Sequence, residues 1–231
     1  MALPYFFMAD ISGNSFVLDE DASKHIVSVL RKEKGEKLLL TDGKGTKAIA
    51  TIIDDNRKRC EVQLTERTAI PQTSLKVSIA ISLIKNASRF EWFLEKATEI
   101  GVTEIIPLLC DRTEKEKFRH DRLNGILTSA MLQSQQCWLP QLSDPLSFNS
   151  ILERTTEEQR LIAHCLPEEK VQLASVNRHS ASIILIGPEG DFTESEIERA
   201  LNKGFQPVAL GNTRLRTETA GIVAATLLCN G

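Results

Sequence analysis

The sequence predicts a two-part chain of mixed α/β class, with a small β-rich domain followed by a larger α/β domain built on a parallel sheet. Three observations carry this. Over the first seventy residues, short runs of strand-forming residues alternate with turn signals. Beyond residue 75, near-continuous apolar runs alternate with amphipathic segments of helix length. The strand–helix–strand spacing from Lys76 to Leu108 is that of a βαβ unit, which brings its two strands together in parallel.

In the first part, strands are expected at Ser15 to Leu18, Lys37 to Thr41, Ala48 to Ile53 and Cys60 to Leu64. Asp42-Gly43 and Asp54-Asp55-Asn56 are the clearest turns between them. Ala22 to Arg31 reads as a short amphipathic helix. Closely set strands of this kind suit a small barrel or sandwich. Ile70 to Ser74 reads as a linker, which places the domains at 1–71 and 72–231. In the second part, Lys76 to Ile84 is a strand apolar on both faces. Ser88 and Glu91 form a capping-box pattern, and Phe90, Phe93, Leu94 and Ala97 share one helix face. Gly101 ends that helix and Val102 to Leu108 is the next strand. A long helix is expected over Asp121 to Cys137, and strands at Arg160 to Cys165, Ser182 to Gly187 and Pro207 to Leu210. Thr193 to Lys203 is a helix with a Thr193/Glu196 capping box and Gly204 as its stop, and Thr217 to Leu228 is the last helix.

Composition narrows the function classes. Of 231 residues, 42% are hydrophobic and 26% charged, a balance that builds a core. The net charge of −3 counts against a non-specific nucleic-acid binder, and residues 1–70 carry 11 basic and 11 acidic side chains, so any RNA contact needs a local basic patch. Cys60, Cys110, Cys137, Cys165 and Cys229 are scattered and odd in number, as expected of reduced thiols. His25, His120, His164 and His179 are equally dispersed, so no metal site is expected. No stretch reaches the roughly 20 apolar residues of a membrane span, and the first residues lack the basic region of a signal peptide. The expectation is a soluble, cytoplasmic protein.

Two loops carry candidate chemistry. Gly187-Pro188-Glu189-Gly190-Asp191-Phe192 follows the strand ending in Leu185-Ile186, at the strand end where open α/β sheets bind ligands. Its glycines let the backbone approach a ligand, and serve equally well as turn formers. Leu210-Gly211-Asn212-Thr213-Arg214-Leu215-Arg216-Thr217-Glu218 leads into the last helix. Its arginines suit an anionic or polar ligand beside a helix N-terminus. The plainer reading makes Thr217 an N-cap, Glu218 a partner of the helix dipole and the arginines solvated.

Taken together, the loops resemble the RsmE methyltransferases, which carry G-P-E-G-(G/D)-F, a G-F turn and L-G-x-x-x-L-R-x-E-T-A. These correspond to Gly187 to Phe192, Gly204-Phe205 and Leu210 to Ala220. His25 to Arg31 with Gly35 and Asp42-Gly43 is similar to the family's N-terminal RNA-binding domain. Glu95 to Val102 with Pro107-Leu108 is similar to its first βαβ unit. The resemblance implies a SPOUT-type α/β trefoil-knot domain, a smaller PUA-like β-barrel domain and a homodimer. It also implies methylation of N3 of a uridine in 16S rRNA with S-adenosylmethionine (SAM) as donor. On that basis Leu185, Ile186, Gly187, Pro188, Glu189, Gly190, Leu210, Gly211, Leu215, Arg216 and Thr217 are expected to hold the cofactor. Arg216 is expected to hold the uridine and Glu218 to act as base.

RNA contacts are expected from Lys24, Arg31, Lys32, Lys34, Lys85, Arg89 and Arg112, although acidic neighbours also fit a solvated mixed-charge surface. Phe90, Trp92 and Phe93 read as helix packing rather than base stacking. The chain departs from the family pattern at Tyr5, over Leu132 to Trp138 (where Gln136 is among the differing residues) and at Thr213, which touches the transfer of RNA contacts. A dinucleotide-binding enzyme is excluded by the lack of G-x-G-x-x-G after an early strand. A SPOUT enzyme acting on another target, such as a ribose 2′-hydroxyl, and a non-catalytic ribosome-associated RNA-binding protein stay open.

Overall fold

The computed structural model describes residues 3–114, 117–167 and 169–230, so Met1 and Gly231, the ends of the two expected domains, lie outside it. The chain forms two compact units. One holds the residues up to Gln72 together with Met131–Leu139, and the other Thr73–Ala130 with the residues from Pro140 on.

In the first unit β1 (Tyr5–Phe7), β2 (Ser15–Val17), β3 (Lys37–Thr41), β4 (Thr46–Asp54) and β5 (Glu61–Ala69) form a curled sheet in the order β1-β3-β4-β5-β2. Strict alternation along β4 turns Ala48, Ala50 and Ile52 to one face, where they meet Leu38, Leu40, Val62 and Ile26. The β4–β5 register shifts between Ile49 and Ala50 and again between Ile52 and Asp54, irregularities that bend a sheet. β1, which pairs in parallel with β3, has no turn signal to announce it. The single helix expected from Ala22 to Arg31 is instead α1 (Glu20–Lys24) followed by a π-helical turn, His25–Val29. It starts earlier because the Asp19 carboxylate accepts the Ala22 N–H at 2.7 Å, and it ends at Arg31, whose φ of 53° breaks the helix.

The segment 131–139, expected with the larger domain, packs in this first unit. Gly45 N–H donates to the Cys137 carbonyl and Leu139 N–H to the Gly43 carbonyl. The Trp138 indole N–H donates to the Ile70 carbonyl at 3.0 Å. A Cβ on Gly45 would lie 2.3 Å from the Trp138 ring, so only glycine admits that indole.

The second unit contains β6 (Lys76–Ser82), α2 (Ala87–Ile100), β7 (Glu104–Leu109) and α3 (His120–Gln133), whose last turn runs into the first unit. It continues with β8 (Gln141–Leu142), β9 (Leu146–Ser147), α4 (Phe148–Arg154), β10 (Gln159–Ala163), β11 (Val171–Gln172) and β12 (Ala181–Ile186). α5 (Glu194–Asn202), β13 (Gln206–Ala209) and α6 (Thr217–Asn230) complete it. The sheet runs β11-β13-β10-β12-β6-β7-β8, with β9 also on β7, and its pairings are parallel. β6 and β12 are buried on both faces, as their unbroken apolar runs require.

α2 begins one residue before the expected Ser88 because Asn86 caps it, its Oδ1 accepting from Ser88 N at 3.0 Å and Arg89 N at 3.4 Å. Glu91, expected to close a capping box, instead takes two bonds from the Arg122 guanidinium, at 2.8 and 3.0 Å. The Thr193/Glu196 box of α5 forms as expected, and Gly101 ends α2 at φ 102°. α3 stops at Gln133, short of the expected Cys137, where Gln135 turns the chain at φ 58°. α6 lies hard against α2 and β6: a Cβ on Gly221 would come within 2.6 Å of Phe93 and 2.8 Å of Ile81. That close seat fixes where the first turn of α6 begins.

Candidate active site

Parallel strands deliver their carboxyl ends to one side of a sheet, so the loops leaving β6, β7, β10, β12 and β13 gather there. The turn after β12 is tightly tied. Asp191 N–H closes on the Pro188 carbonyl at 2.9 Å, with Asp191 itself at φ 63°. The Asp191 carboxylate accepts from its neighbour Phe192 N–H at 2.8 Å and from Cys165 N–H, beyond β10, at 2.7 Å. Arg112, beyond β7, donates to the Gly190 carbonyl at 2.6 Å, and Lys85 N–H, beyond β6, donates to the Glu189 carboxylate at 3.0 Å. Gly187 is buried, and a Cβ there would stand 3.1 Å from Phe192 N and 3.2 Å from its ring. The small residue is therefore needed for the turn itself, whatever else it admits.

The loop after β13 is built differently. Among the described residues, Asn212, Thr213, Arg214 and Leu215 make no hydrogen bond, and all but the half-buried Leu215 are exposed. Gly211 sits at φ 135°, which glycine alone adopts without strain, and nothing lies within 4 Å of where its Cβ would be. The loop ends at Thr217, the first residue of α6 and buried. Its hydroxyl does not cap its own helix, as the plainer sequence reading had it. It donates to the Gly187 carbonyl at 3.0 Å. One buried bond thus joins the two loops across 30 residues of sequence.

Beside this junction is a cleft of about 600 Å³ between the first turns of two helices. Asn86, Ser88, Arg89 and Trp92 of the α2 end form one wall, and Arg214, Leu215, Arg216, Glu218 and Thr219 the other. Glu218 is only 7% exposed, and its carboxylate stands 3.6 Å from the Arg89 guanidinium. Arg214 and Arg216 also line the cleft, and among the described residues neither forms an ion pair. A nearly buried carboxylate beside uncommitted cations is an arrangement able to move a proton and hold a polar, partly anionic substrate.

The structure brings together Leu185, Ile186, Gly187, Pro188, Glu189 and Gly190 as the end of β12 and its turn, and Leu210, Gly211, Leu215, Arg216, Thr217 and Glu218 as the second loop and the start of α6. The basic residues do not form one set. Lys24, Arg31 and Lys34 are exposed on the first unit and make no ion pair among the described residues, whereas Lys32 is held by Glu36 at 2.6 Å. In the second unit Lys85 pairs with Glu114 at 3.0 Å, Arg89 faces Glu218, and Arg112 is engaged by loop carbonyls. Tyr5 lies on β1 with the Lys47 ammonium 5.7 Å from its ring centre, and Thr213 is exposed in the second loop. Sequence reasoning missed Trp92: it is 44% exposed on the cleft, not packed with Phe90 and Phe93. Its three- and four-residue spacing from Arg89 and Ser88, the other cleft residues of α2, was the available signal.

Residues 71–229 match the family model described as RNA methyltransferase domain, and residues 18–65 that of the RNA methyltransferase PUA domain. Ribosomal RNA small subunit methyltransferase E of Synechocystis sp. is 34% identical over 209 residues, which are 87% of this chain and 68% of that protein. A Porphyromonas gingivalis structure, described as a probable rRNA-methyltransferase, is 37% identical with a TM-score of 0.91 over 96% of this chain and 95% of its own. Ribosomal RNA small subunit methyltransferase E of Neisseria gonorrhoeae, solved bound to S-adenosyl methionine, is 28% identical with a TM-score of 0.87 over 97% of this chain and 95% of its own. Matched in both of its parts, and aligned with such relatives along nearly its whole length, the chain belongs to the ribosomal RNA small subunit methyltransferase E family.

Proposed function

We propose that this chain is a SAM-dependent methyltransferase acting on N3 of a uridine in 16S rRNA. The observation that carries the reading is the Thr217–Gly187 bond, which joins two loops of opposite character beside a cleft holding Arg216 and Glu218. The residues suit the donor. Unbonded backbone N–H and carbonyl groups of Asn212 to Leu215 are free to meet an adenine edge, and Gly211 leaves open space. Leu185, Ile186, Gly187, Pro188, Glu189, Gly190, Leu210, Gly211, Leu215, Arg216 and Thr217 would form that cradle. The sulfonium of SAM supplies an already activated methyl group.

What the chain itself must do is orient the uridine and deal with the N3 proton, which an imide gives up reluctantly. Glu218 receives that proton, and the Arg89 guanidinium fixes where its carboxylate points. Arg216 steadies the negative charge that deprotonation spreads onto the uracil carbonyl oxygens. The first unit, which takes in segment 131–139 beyond the expected 1–71, is the RNA-binding domain, with Lys24, Arg31 and Lys34 as its uncommitted cations, and the rest of the expected 72–231 is the catalytic domain with the family's trefoil knot. Lys32, Lys85, Arg89 and Arg112 reach RNA only by leaving their present partners. The working form is a homodimer in the cytoplasm. No helix among the described residues is long and apolar enough to cross a membrane.

The test is mass spectrometry of 16S rRNA from a strain lacking the protein, with calorimetric titration of the purified protein by SAM. Loss of N3-methyluridine, restored by re-expression, and saturable SAM binding are expected. Unchanged N3-methyluridine with loss of a ribose methyl would move the target to a 2′-hydroxyl. Absent SAM binding would favour a non-catalytic RNA-binding protein.

A further inference from the structure

α2 buries Phe90, Phe93, Leu94 and Ala97 against the sheet, as its amphipathic spacing demands. Trp92 stands off that face. It shares a stripe with Arg89 and Ser88, one helical turn earlier, and the three side chains form one wall of the cleft opposite Arg216 and Glu218. An indole 44% exposed is apolar area left in water, in a helix that buries its other aromatic rings. The cleft around it has a largely apolar lining bordered by cations: Arg89, Arg214 and Arg216 line it, and one carboxylate, Glu218, is among them and nearly buried. A flat π-face among guanidinium groups matches a nucleobase flanked by phosphates, the ring meeting the base and the cations its backbone.

We propose that Trp92 is the platform on which the target uracil stacks, so that this cleft is the seat of the unpaired base. The proposal rests on the methyltransferase reading above and deepens it. Uracil N3–H is the donor of the Watson–Crick pair, so a base modified there must first be unpaired and held by something other than its complement. Stacking is the sequence-tolerant part of that hold, and Arg216 and Glu218, on the facing wall, read the carbonyl oxygens and the N3 proton. Arg89, on the same helix face as Trp92, stands 3.6 Å from Glu218 and so holds that carboxylate toward the stacked base.

The test compares Trp92→Leu and Trp92→Phe in the full chain on small ribosomal subunits, with SAM affinity by calorimetry and oligomeric state by sedimentation. Because Trp92 is exposed, neither change removes a core contact. For Trp92→Leu we expect kcat/KM toward RNA to fall about tenfold or more, the size of a lost base–aromatic stack. Trp92→Phe restores most of it, and SAM affinity and oligomeric state are unchanged in both. Wild-type turnover in Trp92→Leu overturns the proposal, as does failure of phenylalanine to rescue. Loss of turnover together with dissociation of the oligomer also overturns it, and assigns Trp92 to a contact with a second copy of the chain. These outcomes leave the methyltransferase reading standing, which fails only if the wild-type protein does not methylate N3.

Discussion

The turn after β12 and the loop after β13 both carry glycines and both leave parallel strands at the same side of the sheet, yet their internal bonding is opposite. Gly187 to Phe192 is held from four directions, by Lys85, Arg112, Cys165 and Thr217. Asn212 to Leu215 has no hydrogen bond of its own among the described residues. Polar backbone groups left unbonded in one loop, beside a neighbour with its bonds made, mark the first turn as scaffold and the second as the part that answers a ligand. Loops with few internal bonds open at little cost, and ordering them on binding is a common way to couple recognition to catalysis. On the proposed function the contrast also divides the labour: the fixed turn sets position, while the second loop ends in Arg216 and Glu218, the residues proposed to meet substrate.

The sharpest way to break this division is at Glu218, where the second loop becomes helix. Glu218→Gln keeps the shape and removes the base, so kcat should fall by about 10² to 10⁴ while SAM affinity holds. Single-turnover methylation and calorimetry measure the two separately. If SAM affinity falls and the rate holds, Glu218 belongs to the cradle. The bond joining the loops comes next. Thr217→Val leaves the buried Gly187 carbonyl without its partner, at a cost of about 1–3 kcal/mol. Chemical denaturation should show that loss, and SAM affinity should weaken by about tenfold or more as the loops uncouple.

The smallest effect is in the thiols. Cys165 is exposed beside the fixed turn, though partial burial and then Asp191 raise its pKa. Burial, then Glu196, pushes the buried Cys110 thiol from 9.0 up to about 12. Iodoacetamide near neutral pH should therefore modify Cys165 first and reach Cys110 only on unfolding, as peptide mapping would show. A folded-state pKa raised in this way stabilises the protein at pH below about 9 and loses that contribution as pH climbs toward 12. The melting temperature should accordingly decline through that alkaline window, and less steeply in Cys110→Ser.

Much of this was legible in the sequence, for identifiable reasons. β6 and β12 announce themselves because a strand buried on both faces must be apolar throughout. The Thr193 box and the Gly101 stop are short-range devices, readable within four residues. The two loops were visible through their glycines and arginines. What was hidden depends on contacts between distant segments. Nothing near Thr217 says that its hydroxyl serves Gly187, and nothing near Trp138 says that it lies over Gly45. Trp92 was misread because Phe90 and Phe93 satisfy the helical period around it, and a ring between two buried rings looks buried. Asn86 was overlooked as the cap because Ser88 and Glu91 offered a matching pattern two residues later.

The central claim is that the two loops make a single cradle for the methyl donor. Hydrogen exchange of the backbone amides, followed with and without saturating SAM, reads both loops in one experiment. Without SAM, the amides of Asn212 to Leu215 should exchange fast and those of the turn after β12 slowly; with SAM, both segments should gain protection together, the second by far the more. Protection confined to one loop, or found in neither while SAM binds elsewhere, would contradict it.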